Sequence, residues 1–123
     1  ERLRIVQRGP VGGTPLSVGG VVRFVARDIE QAGTVLAPFG ILGFDAARNL
    51  SFASGSLTSV SADGQRLPFG VVQGENWQYQ LGGTLLDVAA IPQRRIDASG
   101  GSVSIAENAV IDLRGGGELY AYE

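Results

Sequence analysis

Short segments in which alternate residues are apolar recur along this chain at a near-constant spacing. In the first, Val22, Phe24 and Ala26 alternate with Arg23, Val25 and Arg27; in the second, Leu42, Phe44 and Ala46 alternate with Gly43 and Asp45. Laid over one another, the two put Phe24 on Phe44 and Ile29 on Leu50. A third unit, 102–111, repeats the rhythm with Val103, Ile105, Ala109 and Ile111. Successive side chains of a strand point to opposite faces, so this alternation marks short strands with one buried face. Gly, Asn, Asp or Ser bounds each segment, as turns require. A unit of this size cannot hide its apolar face alone and needs neighbours stacked on it. The expected fold is therefore all-β, a right-handed parallel β-helix (a solenoid of strand coils) forming one segment over 1–123. A β-sandwich, with strands about every 8–12 residues, is the alternative.

The rhythm breaks over 65–94, which reads as a side excursion from the stack. This span holds Pro68, Pro92, the pair Gly82-Gly83 and the single tryptophan, Trp77, beside Tyr79. Segments 77–81 and 84–88 are expected to pair as a hairpin around the glycine pair. The Gly- and Pro-rich stretch before Val21 reads as an irregular lead-in or a shortened coil. No Met starts the chain, and Leu119-Tyr120-Ala121-Tyr122-Glu123 reads as a cut through a continuing segment.

Composition narrows the function. Nineteen glycines among 123 residues, without a triplet period, signify many turns and not collagen. The ten basic residues are all arginine and are dispersed, against twelve acids, for a net charge of −2. With no basic block, nucleic acid and anionic membranes are not expected partners. The uncharged stretches 9–22 and 31–44 fall short of the roughly 20 residues that a spanning helix needs. Cys, His and Lys are all missing, so no thiolate, imidazole or amine can activate a serine. The chain is expected not to be an enzyme and to hold no cofactor.

The remote exception is a polysaccharide-cleaving site built from paired aspartates, for which Asp45, Asp97 and Asp112 lie in coil segments. Arg94 or Arg95 as a lyase base is weaker still. Ca²⁺ is the one metal suited to oxygen ligands alone, but Gly115-Gly116-Gly117-Glu118 has the wrong order for a calcium repeat. A turn with positive φ explains the glycines better, and no metal site is expected. Asn49-Leu50-Ser51 forms a glycosylation sequon, more simply read as a turn asparagine. Trp77 and Tyr79, two apart, share one strand face. They suit either an anchor holding the excursion to the stack or a platform for sugar rings, the anchor being preferred. Laying Val103 on Phe44 puts Asn49 and Asn108 at one turn, where their amides would form an inter-coil ladder.

The segment Ile111-Asp112-Leu113-Arg114-Gly115-Gly116-Gly117-Glu118-Leu119-Tyr120-Ala121-Tyr122-Glu123 resembles a stretch of the large exoproteins of the filamentous haemagglutinin family. Their motif runs Ile-Asp-Leu, a glycine triplet, an acidic residue, then Leu-Tyr-Ala-Tyr-Glu, matched here by Asp112, Gly115, Gly116, Gly117, Glu118, Tyr120 and Tyr122. Leu67-Pro68-Phe69-Gly70, Trp77-Gln78-Tyr79 and Ile91-Pro92-Gln93-Arg94-Arg95-Ile96 resemble the family in the same order, as does Gly33-Thr34-Val35-Leu36-Ala37-Pro38-Phe39-Gly40. The resemblance spans roughly 21–123. It implies a parallel β-helix secreted by the two-partner route through an outer-membrane β-barrel transporter. It further implies a place in a cell-surface or secreted adhesin, as a shaft or display segment stacked between neighbouring coils of one larger chain. A host glycan or receptor would be the external partner. The family offers no shared catalytic residues, and the amino-terminal secretion domain of such proteins is not in this segment. Uncapped strand edges at both ends of the stack lead one to expect end-to-end self-association.

Overall fold

A computed structural model describes residues 2–6, 20–81, 84–88 and 93–122. The glycine pair Gly82-Gly83, Pro92 and most of the Gly- and Pro-rich lead-in lie outside them. The fold is all-β, with no helix among the described residues. The strands are β1 (Arg2–Val6), β2 (Val21–Ala32), β3 (Thr34–Leu36), β4 (Ile41–Phe52), β5 (Leu57–Ser59) and β6 (Arg66–Gln73), then β7 (Asn76–Leu81), β8 (Thr84–Asp87), β9 (Arg95–Ser99), β10 (Ser102–Ile105), β11 (Val110–Asp112) and β12 (Glu118–Tyr122).

They form three sheets. The first has the order β1-β2-β4-β10, with β9 also on β4; the second is β11-β5-β3; the third is β12-β6-β7-β8. All pairings in the first two sheets, and that of β12 with β6, are parallel. An antiparallel sandwich would require the opposite direction. Val21 faces Ile41 and Phe24 faces Phe44, so the spacing of the sequence repeat is the step from one strand to its neighbour. A register shift between Ala26 and Asp28 then sets Ile29 opposite Leu50.

Registers this constant carry like side chains into columns. Leu3, Ile29, Leu50 and Val103 stand in line across four strands. Phe24 stacks on Phe44 with centroids 5.2 Å apart, and Phe52 meets Phe44 edge-on at 5.3 Å. Phe44, Leu42, Leu50 and Phe52 are buried, each gaining roughly 1.5–3 kcal/mol over exposure. Among the described residues the interior also holds polar side chains, Gln31, Ser56, Thr58 and Ser59. Gln31 is fully buried, and its amide donates to the carbonyls of Gly33 and Leu57 and to Thr58 Oγ1 at 3.0–3.1 Å. Its Oε1 accepts from the Gly33 N–H at 2.8 Å. This closes the corner between β2 and β3 and ties it to β5 below.

The following corner, 37–40, needs close backbone approach. A Cβ on Gly40 would stand 2.6 Å from the Gly20 carbonyl oxygen. Phe39 takes a left-handed φ of 52°, unusual for an aromatic residue. Its ring is buried with Ala62 and Leu67 and is covered by the Arg94 guanidinium 4.1 Å from its centroid.

Two sequence expectations need correction. Phe44 lies opposite Ala98, not Val103, whose partner is Leu50. Asn49 therefore faces Ser102, and the Asn49–Asn108 ladder does not form. Asn49 instead donates to Asp28 Oδ1 at 2.9 Å, while Asn108 sits in a turn where its carbonyl accepts from Gly55 N–H. Alternation of period two matches equally well at every second register, so it cannot choose among them. The unit begins at β9, whose apolar residues Ile96 and Ala98 are too few to announce it. Neighbourhood across the long sequence gap does hold: Ile41 pairs with Arg95 and Leu57 with Val110. The departure from the stack begins later than residue 65, because β6 is itself paired parallel with β12 from Arg66 to Val71.

Candidate binding face on the hairpin

A bulge creates the hairpin. Pro68 pairs with Tyr120 but Val71 with Tyr122, so β6 carries an extra residue at Phe69-Gly70. Gly70 has φ 73°, and any Cβ there would collide with the carbonyl of Gln78. Only glycine meets both demands. Past the bulge Val71 faces Tyr122, and on the other side of β6 the strand β7 returns antiparallel with Val72 opposite Trp77. β8 then pairs with β7, Leu81 opposite Thr84, as the sequence led one to expect for this hairpin.

Trp77 and Tyr79 do share a face, and Phe69 of β6 joins them. The Phe69 ring stands edge-on to Trp77 at 6.4 Å and tilted against Tyr79 at 5.2 Å. Indole Nε1 donates to the Phe69 carbonyl at 2.6 Å. The anchor thus runs to β6, inside the hairpin's own sheet, and not across to the first two sheets. All three rings remain half-exposed, and Leu86, opposite Tyr79, is exposed. The sequence pointed to two of these four residues. Phe69 and Leu86 join the face only through strand pairing. A half-exposed aromatic surface with one indole edge already bonded can stack on flat apolar partners, sugar faces included.

The aspartates are placed for ion pairing. Asp45 and Asp97 lie on one outer face of the first sheet, on adjacent strands and two positions out of register. Asp45 pairs with Arg23 at 3.0 Å and accepts from the Ser99 hydroxyl at 3.1 Å; Asp97 pairs with Arg95 at 2.9 Å. Between them Gly43 leaves room for an open groove of about 270 Å³. Each carboxylate is engaged by a guanidinium. Asp112 lies apart, in the second sheet, where it holds Arg114 through both oxygens at 3.0–3.2 Å. The side-chain bond to Arg114, then the bond from its backbone N–H, keep the Asp112 carboxyl below its ordinary range, and Asp112 raises Arg114 in turn. Arg94 donates to the Gly116 carbonyl at 2.6 Å while lying over Phe39, and Arg95 is held by Asp97. Among the described residues no cluster of three or more acids forms a metal site.

The glycine triplet divides. Gly116 and Gly117 have φ of 105° and 89°, whereas Gly115 stays outside the left-handed region and faces open space. The latter half of the motif pairs with β6: Glu118 stands 3.9 Å from Arg66, whose guanidinium lies 5.0 Å from the Tyr120 ring centroid.

No family model, curated protein or solved structure matches the chain.

Proposed function

We propose that this chain is a rigid shaft or display segment of a large secreted bacterial adhesin of the filamentous haemagglutinin type, folded as a right-handed parallel β-helix. The carrying observation is the set of parallel registers that repeats along the first sheet and recurs in the second and third. Crossovers between parallel strands of one sheet are right-handed in nearly all proteins. The Asp112–Tyr122 motif adds the family, and its glycines and Glu118 seat the last unit on the one before. On this reading the segment is exported through an outer-membrane β-barrel transporter and stands at the cell surface or beyond it. Its partners are neighbouring coils, and its groups serve packing and not catalysis.

A coil deletion tests this. Gly20 lies over Gly40, and Ile41 N–H already bonds to the Gly20 carbonyl at 2.9 Å. Removing residues 21–40 therefore joins equivalent points one level apart and lets β1 fall onto β4. The shortened chain is expected to keep a β-type circular dichroism spectrum and one cooperative thermal transition, because each repeat contacts only its neighbours. A deletion product without a cooperative transition overturns the modular stack.

The hairpin supports a second reading, a glycan- or receptor-binding module, favoured by the half-exposed face of Phe69, Trp77, Tyr79 and Leu86. It expects the parent chain to bind immobilised glycans and Trp77→Ala to lose at least about tenfold in affinity, with an unchanged circular dichroism spectrum. Absence of binding by the parent on a broad glycan array removes this reading and leaves the shaft intact.

A further inference from the structure

Among the described strands, glycine stands inside two, as Gly70 of β6 and Gly43 of β4. The bulge and the left-handed φ account for Gly70. Neither accounts for Gly43. Its register is unbroken on both sides, with Arg23 opposite on β2 and Asp97 opposite on β9, and its φ lies outside the left-handed region. The atoms nearest to a Cβ there all belong to Arg23, led by Cγ at 3.3 Å, and that side chain is flexible and exposed. Glycine weakens a strand. Apart from bulges and bends, it marks places where a ligand or another backbone comes close.

Leu42 and Phe44 point into the core, so Ile41, Gly43 and Asp45 face outward. Arg23 and Asp97 flank Gly43, Val21 and Arg95 flank Ile41, and Val25 and Ser99 flank Asp45. The missing side chain opens the groove of about 270 Å³ at the centre of this face. We infer that the groove is a binding site for one neutral hexopyranose ring. Its two guanidiniums and two carboxylates sum to zero charge, so an anion would meet Asp45 and Asp97, and a cation Arg23 and Arg95. A sugar hydroxyl both donates and accepts, whereas a carboxylate only accepts and a guanidinium only donates. Adjacent hydroxyls can therefore bridge the unlike groups that the sheet sets on either side of Gly43. Asp97 keeps capacity for this. Its Oδ2 is held by Arg95, while its Oδ1 accepts no hydrogen bond among the described residues. Val21, 69% exposed, and Ile41 offer apolar surface to the C–H face of the ring. The volume falls just below the roughly 300–1,000 Å³ of clefts for larger ligands, which suits a single ring. β2 and β9 wall the groove on either side of β4, so coils stacked beyond them leave it open. The site is separate from the aromatic face of the hairpin and rests on neither reading above.

NMR titration of the ¹⁵N-labelled intact chain with D-glucose, D-galactose and D-mannose tests this. At least one hexose is expected to give saturable amide shifts over 21–25, 41–45 and 95–99, with Kd on the order of 1 mM for so open a site. Galacturonate and glucosamine, an anion and a cation on the same ring, should bind at least about tenfold more weakly. Gly43→Val fills the groove with a side chain that strands favour, and should abolish the shifts while the thermal transition is kept. Asp97→Ala removes the open acceptor without touching the middle strand, and should weaken binding about tenfold. The ion pair it loses is exposed and adds little to stability. Absence of saturable shifts with all three hexoses overturns the proposal. So does equal or tighter binding of either charged sugar, or undiminished binding by Gly43→Val or Asp97→Ala. Shifts confined to 69–87 would overturn it too, in favour of the aromatic face.

Discussion

Gly117→Ala is expected to destabilise the fold by about 3 kcal/mol, with backbone strain and overpacking each supplying about 1–3. Gly117 holds φ 89°, and a Cβ there would stand 2.5 Å from the Ala62 carbonyl oxygen and 2.7 Å from its Cβ. Both obstacles are close to the backbone of a buried residue, so a flexible side chain cannot swing aside to relieve them. The strain falls where the last unit docks, just before Glu118 N–H bonds to the Gln65 carbonyl at 2.8 Å. Gly115→Ala is the internal control. No atom lies within 4 Å of a Cβ at that position, and its φ is ordinary. It should change stability by less than about 0.5 kcal/mol. Urea midpoints by circular dichroism compare the two variants. Equal losses would refute the account, since a general need for glycine in this loop would treat both positions alike.

Gln31→Leu should cost about 3 kcal/mol, although it replaces a polar side chain by an apolar one of similar size in a buried place. The usual gain from burying a leucine is outweighed by what is left behind. Gly33 N–H, the Leu57 carbonyl and Thr58 Oγ1 would each lose a hydrogen bond now made at 2.8–3.0 Å. A buried polar group stripped of its partner costs about 1–3 kcal/mol. Thr58 is itself fully buried, so water does not take the place of the amide there. Gln31→Leu with Thr58→Val should recover part of the loss, because the second substitution removes one of the orphaned groups. Chemical denaturation of both variants measures this. A single variant within about 1 kcal/mol of the parent would show that the network contributes little to stability.

Several elements are legible in the sequence. The overlay of 21–29 on 41–50 gave both the strands and their offset, because the matched Phe24 and Phe44 leave one natural alignment. The hairpin of 77–81 and 84–88 was legible from its glycine pair and the alternation around it. The third unit was misaligned. β9 contributes only Ile96 and Ala98 on its apolar side, and Ser102–Ile105 offered a stronger pattern at the wrong register.

The candidate site was half legible. Trp77 and Tyr79 show themselves by type and spacing, but Phe69 joins them only through the pairing of β6 with β7. All three aspartates lie in strands, where Asp45 is held across strands by Arg23, Asp97 along its own strand by Arg95 and Asp112 in a local turn by Arg114.

The sequence by itself determined the periodicity, and with it an all-β chain of short strands, since side-chain alternation is a local property. It also determined which residue types were available, with no cysteine, histidine or lysine among them. Only the tertiary structure decided the direction of pairing, the register of the last unit, the buried role of Gln31 and the two glycines that cannot be replaced. These depend on what stands one strand away. Contacts such as Ile41 with Arg95, or Arg66 with Glu118, join positions so distant along the chain that they leave no trace in the local pattern.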